Sequence, residues 1–228
     1  MPNKNLIAQY AIRESLGLVG MGVALFWSAG RVDWWAAWAA LAVMAGWIAA
    51  TGIILWRKYP ALLAERLGPR KGAKKWDTLI VALLGLTQLA RYIVAGFDQR
   101  YHWSSGIPLA VPLGAFLICA CGYALFVWAT ASNPFFSRIV RIQSERGHTV
   151  IRGGPYRYVR HPAYAGAASY ELAVPFLLAS WWAVPLSIVA AGLLIARTAL
   201  EDRALLAELD GYADYARAVR YRLAPRVW

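Results

Sequence analysis

Two groups of residues in this chain have the types and spacing to do chemistry. The first is Gln143 to Tyr164, QSERGHTVIRGGPYRYVRHPAY, the longest polar, basic and Gly/Pro-punctuated passage in an otherwise oily sequence; the second is Arg197 with Glu201. Gly153-Gly154-Pro155-Tyr156 is a turn signal, with glycine supplying unusual backbone angles and Pro155 a fixed φ. Pro162 removes a donor and biases His161 away from helix, so a fresh helix starts at about Pro162 to Tyr164. A helix start beside a basic loop offers unpaired N–H groups and a positive dipole end, which suits an anionic ligand group.

Arg197 and Glu201 stand at i and i+4, on one face of a helix. Two readings are open for them. One is a surface salt bridge, worth well under about 1 kcal/mol. The other is a guanidinium at the end of an apolar helix that holds a lipid-borne carboxylate, while the acid binds a polar or cationic partner. His161 could be a general base, a cofactor contact or a residue that holds the loop, and His148 is open in the same way. Three histidines with no His/Cys/carboxylate cluster at ligand spacing argue against a zinc or iron site. Gly153-Gly154 lacks the strand–helix context of a phosphate loop or dinucleotide fingerprint, and no Ser/His/Asp hydrolase elbow is present.

The elements that must position these residues are membrane helices. With 228 residues, 60% hydrophobic content and 12 Trp, the chain reads as an all-α integral membrane protein, one compact helical unit of about five to six transmembrane helices. The net charge of +12 sits between oily spans. Membrane topology and anionic lipid headgroups account for it better than nucleic acid does. Cys119 and Cys121 read as packing residues of a membrane helix. The first apolar run is broken by Arg13-Glu14 and reads as a span rather than a cleavable signal.

The spans expected are Leu6 to Ala29, entering the membrane at about Ser15, then Trp34 to Trp56, Trp76 to Phe97, Pro108 to Ala131, and a short last pair, Tyr164 to Ser180 and Val184 to Arg197. Between the second and third lies a basic loop, Arg57 to Lys75, with seven Lys/Arg and one acid, Glu65. Of the 24 Lys and Arg, 20 fall on the side of this loop and of Gln143–Tyr164, and only Arg31 and Arg100 on the other. That asymmetry makes both termini and the polar passage cytoplasmic. Arg91 and Glu171, each alone within a span, are expected to pair, or Arg91 to snorkel, with the lining of a substrate tunnel as the alternative. The last span continues as a helix over Ile195 to Leu209, with Gly211 as its stop.

GPYRYVRHPAY followed by RTALED resembles the isoprenylcysteine carboxyl methyltransferase family and the related phospholipid N-methyltransferases, over about Asn133 to Pro225. The resemblance divides the chain into N-terminal transmembrane helices, 1–131, and a methyltransferase core, 132–228, with a cytoplasmic cofactor-binding loop and a C-terminal helix. It implies S-adenosyl-L-methionine as cofactor, wrapped by Gln143, His148, Thr149, Val150, Ile151, Tyr156, His161, Pro162, Ala163 and Tyr164, with Glu201 a further contact. Arg197 would bind the acceptor's carboxylate and, with Glu201, form the catalytic pair; no metal is implied. The gap from Gln143 to His148 is shorter than in some eukaryotic relatives, and Asp202 stands where relatives often carry a second glutamate.

A carboxylate acceptor is already ionised at neutral pH and needs only a cation to position it, whereas an amine acceptor must lose a proton, for which His161 and Glu201 are the nearby candidates. The expectation is therefore a methyltransferase acting on a lipophilic acceptor, with an isoprenylcysteine-like carboxylate favoured over an amine. The partners implied are membrane lipids and a lipophilic or lipidated substrate. High Ala, Arg and Trp usage points to a GC-rich bacterial genome and so to an inner membrane. A scaffold or transporter is the rival outside the enzymes, though the inverted repeat of a transporter is absent. A lipid reductase using a nicotinamide cofactor ranks third.

Overall fold

A computed structural model describes residues 4–69 and 72–228. Arg70 and Lys71 of the basic loop lie outside them. The described residues form eight helices: α1 (Lys4–Ala29), α2 (Trp35–Lys58), α3 (Pro60–Leu67), α4 (Lys75–Tyr101), α5 (Ala110–Ser132), α6 (Pro162–Leu177), α7 (Val184–Glu208) and α8 (Tyr212–Ala218). Each of the six apolar runs is a helix. By length and composition α2, α4, α5 and α7 can each cross a membrane; α6, at 16 residues, is the short member of the last pair.

The exterior is oily and the interior is small. Val19, Leu86, Leu117 and Ile188 stand exposed, as expected where the surrounding solvent is hydrocarbon. Ala24, Ala37, Ala40, Ala95, Ala115 and Cys119 are buried. Lipid is as apolar as leucine, so close approach rather than hydrophobicity draws such helices together. The α5–α6 crossing shows this best: a Cβ at Gly122 would come within 2.6 Å of the Gly166 carbonyl, and one at Gly166 would strike the Gly122 carbonyl in turn. Both cysteines are free, Cys119 buried in this interior and Cys121 exposed on the outer face.

Two charges enter the interior and meet there. Arg91 of α4 is fully buried and ion-paired with Glu171 of α6. Gln88 also donates to Glu171, at 2.6 Å, and the Arg91 guanidinium lies 5.0 Å from the Tyr92 ring centre. An intramembrane charge is costly unless it is paired in this way.

One end of the bundle carries the polar elements. The Arg13 guanidinium donates to the Arg66 carbonyl at 2.9 Å, Arg66 to the Phe136 carbonyl at 3.0 Å, and Lys58 to the Ala131 carbonyl at 2.7 Å. These bonds gather the start of α1, the α2–α4 connection and residues 133–161 on one side. At the opposite end, Asp98 accepts from the Ser104 and Ser180 hydroxyls and ties α4 to the α6–α7 turn. The basic connection was expected as a loop, but it contains α3. Pro60 opens this helix, and Leu62 and Leu63 bury against Tyr10 and Leu55.

Candidate functional site

The polar passage has little regular structure of its own. Tight 3₁₀ turns form at Ser144–Arg146 and Gly154–Arg157, and the rest is extended or bent. Gly154 sits at φ +60°, where a Cβ would also press on the Ser132 side chain, 2.9 Å from its Cβ. Only glycine fits that corner. Pro162 opens α6 as its spacing predicts, with His161 at φ −128° and ψ 61° as the non-helical residue before it.

Asp202, on α7, is the node that holds this passage down. It is fully buried. Its carboxylate receives Arg160 through Nε and Nη2, both at 2.8 Å, the Tyr212 hydroxyl at 2.8 Å and Arg222 Nε at 2.8 Å. His161 Nε2 lies 3.2 Å from the same carboxylate. The Arg160 and His161 main-chain N–H groups donate to the carbonyls of Tyr221 and Arg222, each at 2.9 Å. Burial and the Asp202 charge push the Tyr212 phenol well above its usual range, so it stays protonated and donates.

Above this floor lies a cleft enclosing about 850 Å³, its open mouth included. His148, Thr149, Val150, Ile151, Tyr156, His161, Ala163, Tyr164 and Glu201 all line it. The Tyr164 hydroxyl donates to Glu201 at 2.5 Å, and the Tyr164 ring is nearly parallel to that of His161. His148 rests against the Phe135 ring and accepts the Gln143 main-chain N–H on Nδ1 at 3.3 Å. Burial, then the charges of Arg146 and Arg141, hold its imidazole below the usual histidine range.

Three sequence-expected residues stand outside the lining. Gln143 is fully buried behind the wall, donating to the Phe135 carbonyl at 2.6 Å and accepting from Arg146; it braces the loop. Pro162 is buried at the first position of α6. Arg197 lies across the Tyr164 ring, its guanidinium 5.2 Å from the ring centre, and does not itself line the cleft. The i,i+4 bridge from Arg197 to Glu201 does not form, because Arg197 Nε donates to Asp77 at 2.7 Å while Glu201 is held by Tyr164.

Sequence reasoning overlooked several participants. Asp77 carries no local motif. Arg160 and Tyr212 reach Asp202 only through the fold. Asn133 was legible in principle: Asn-Pro is a turn signal, and here its Oδ1 accepts the Phe135 N–H at 2.8 Å while Nδ2 donates to the Tyr156 hydroxyl at 3.2 Å. Lys74 and Glu208, ion-paired at 2.5 Å, also border the cleft.

Fold and site together define a multi-span helical membrane protein with a polar, aromatic-lined cleft at one end of its bundle. Residues 113–207 match the model of the isoprenylcysteine carboxyl methyltransferase (ICMT) family, and over that stretch the likeness carried by GPYRYVRHPAY and RTALED is shown. The chain is similar to protein-S-isoprenylcysteine O-methyltransferase of Saccharomyces cerevisiae, 28% identical over 89 residues, which are 39% of this chain and 36% of that protein. The match thus spans about a third of the curated relative's length. A solved structure of a eukaryotic intramembrane Ras methyltransferase ICMT has the same fold, with a TM-score of 0.50 and 15% identity over 94% of this chain and 75% of that one.

Proposed function

We propose that this protein is an S-adenosylmethionine-dependent methyltransferase of the cytoplasmic face of a bacterial inner membrane, acting on the carboxylate of an isoprenylcysteine-like lipophilic acid. The ICMT match supports the reaction class. The cleft suits the cofactor by its chemistry: the Glu201 carboxylate and the Tyr156 and Tyr164 rings favour a cation, while Val150, Ile151 and Leu205 offer apolar cover. S-adenosylmethionine, when bound, supplies an electrophilic methyl group on a positively charged sulfur.

The chain's own residues align and shield. Arg197, packed on the Tyr164 ring, presents a permanent cation to the carboxylate of a lipophilic acceptor. Val150, Ile151 and Leu205 in the lining would shield the transfer from water as a competing nucleophile. Alignment of this kind supplies most of what such a transfer needs.

The observation that carries the carboxylate reading is the Arg197 guanidinium, a permanent cation packed on Tyr164 of the cleft wall. His161 and Glu201 are the two candidate bases in the lining. A carboxylate acceptor asks neither to take a proton, whereas an amine acceptor does. The test is transfer of labelled methyl to N-acetyl-S-farnesyl-L-cysteine and, separately, to phosphatidylethanolamine, by wild type and Arg197→Ala. The reading predicts transfer to the acid and its loss in the variant. Methylation of the amine lipid, insensitive to Arg197→Ala, would replace it with the N-methyltransferase reading.

A further inference from the structure

Asp77 lies in the first turn of α4 and is fully buried, 120 positions from Arg197 in sequence. Both its oxygens are used. Oδ1 accepts Arg197 Nε–H at 2.7 Å, and Oδ2 accepts the main-chain N–H of Val140 at 2.9 Å. Arg197 Nη2 donates to the Arg138 carbonyl at 3.0 Å.

The guanidinium is planar, so fixing Nε and Nη2 fixes the direction of the rest of the fork. Tyr164 covers one face at 5.2 Å. The bonds formed among the described residues occupy the Nε–Nη2 edge and leave the other edge, Nη1 with the second Nη2 hydrogen. That edge is one a carboxylate takes with two parallel bonds.

We infer that Asp77 is a positioning residue for the acceptor: it holds Arg197 by one edge so that the other is presented to a planar carboxylate. This rests on Arg197 being the acceptor's anchor, as proposed above. A buried ion pair is weak grounds for stability, since well-packed apolar residues serve a fold as well or better. Asp77 is also joined through Val140 to the strip Ile139–Ile142, which lines the cleft. The same carboxylate therefore sets the acceptor's anchor against the wall of the cofactor site. Because Asp77 offsets the Arg197 charge, recognition rests on the two-bond fit, which the two oxygens of a carboxylate satisfy and the single oxygen of a carboxamide does not.

The test compares wild type with Asp77→Asn, which keeps the shape and removes the charge. Methyl transfer to N-acetyl-S-farnesyl-L-cysteine gives KM and kcat; the corresponding carboxamide gives a competitive inhibition constant; S-adenosylmethionine titration reports on the cofactor site. The expected result is a rise of about tenfold or more in KM for the acid, the scale of one charge-assisted hydrogen bond. The carboxamide constant and the cofactor affinity should each stay within about threefold, well inside that scale. A merely structural role would lower kcat through loss of folded protein and leave KM alone. An unchanged KM, or a carboxamide constant that rises in parallel with it, overturns the inference while leaving the proposed function standing. Absence of transfer by wild type overturns both. If Asp77→Asn is not recovered folded, Asp77→Glu, which keeps the charge on a longer arm, is put through the same comparison and judged by the same results.

Discussion

Replacing Asp202 by Asn should release the floor of the cleft while leaving the membrane bundle intact. Asn matches Asp in shape but carries one acceptor oxygen and no charge. The native carboxylate is fully buried and takes four donor bonds at 2.8 Å, three of them from guanidinium groups. Hydrogen bonds to charged groups contribute about 1.5–3 kcal/mol each, and stranding a buried charge costs about 3–5 kcal/mol. The Arg222 side chain is 30% exposed and recovers water when released, whereas that of Arg160 is only 7% exposed and does not. The loss therefore falls near the Arg160 value, about 3–5 kcal/mol.

The opening is local, so it is read by hydrogen exchange. The amides of Arg160 and His161, bonded to the tail carbonyls at 2.9 Å, should exchange about a hundredfold faster or more in Asp202→Asn. Amides in the middle of α4 and α5 should be unaffected. Exchange at Arg160 and His161 within about threefold of wild type would refute Asp202 as the node, because that is under about 1 kcal/mol of opening free energy.

Three further outcomes follow from the same geometry. Glu171→Gln strands the buried Arg91 and should cost about 3–5 kcal/mol, seen as a lower Tm in detergent; the double change Arg91→Met, Glu171→Leu should recover most of it and keep activity, and a stable but inactive double variant would mean that the pair lines the acceptor's path. Gly166→Val drives a side chain into the Gly122 carbonyl and should cost at least the 1–3 kcal/mol typical of overpacking, about 2–10 °C in Tm; an unchanged Tm would show that α5 and α6 can separate freely. His148 has a folded pKa held below its unfolded value by burial and by Arg146 and Arg141, so the folded state binds fewer protons. Its contribution is therefore present above about pH 6.5 and lost as pH falls through the folded value. Thermal unfolding from about pH 7.5 to 5 should show that decline, and His148→Phe, which keeps a ring against Phe135, should flatten it.

What the sequence discloses here is local, and what it hides is pairing across helices. The six apolar runs, the α6 start at Pro162 and the run of α7 past Arg197 to Glu208 are all written in spacing and turn chemistry. Arg91 with Glu171 was also legible, since an isolated charge in a span must find its opposite. The Arg197–Glu201 pair was the natural reading of i,i+4 spacing, yet each residue has a different partner. Asp77 reaches Arg197 from another helix, and the Tyr164 hydroxyl reaches Glu201. Which acid wins depends on how α4 and α6 cross α7, and spacing along one helix does not contain that. Asp202 was visible only as the acid after Glu201, at a position where relatives often carry a second glutamate. Its role comes from Arg160, Tyr212 and Arg222, which the chain brings in from both sides. Gln143 shows the converse: its place in the motif suggested a ligand contact, and in the fold it is buried, bonded to Phe135 and Arg146, and does not line the cleft.

The central claim is that the cleft binds S-adenosylmethionine, and calorimetric titration of the detergent-purified protein tests it most directly. His161→Ala and Glu201→Ala, which strip two lining side chains, are titrated beside the wild type. The account predicts roughly micromolar binding by wild type, about −8 kcal/mol, that is abolished or greatly weakened in both variants. A folded, monodisperse wild type that takes up no cofactor would contradict it.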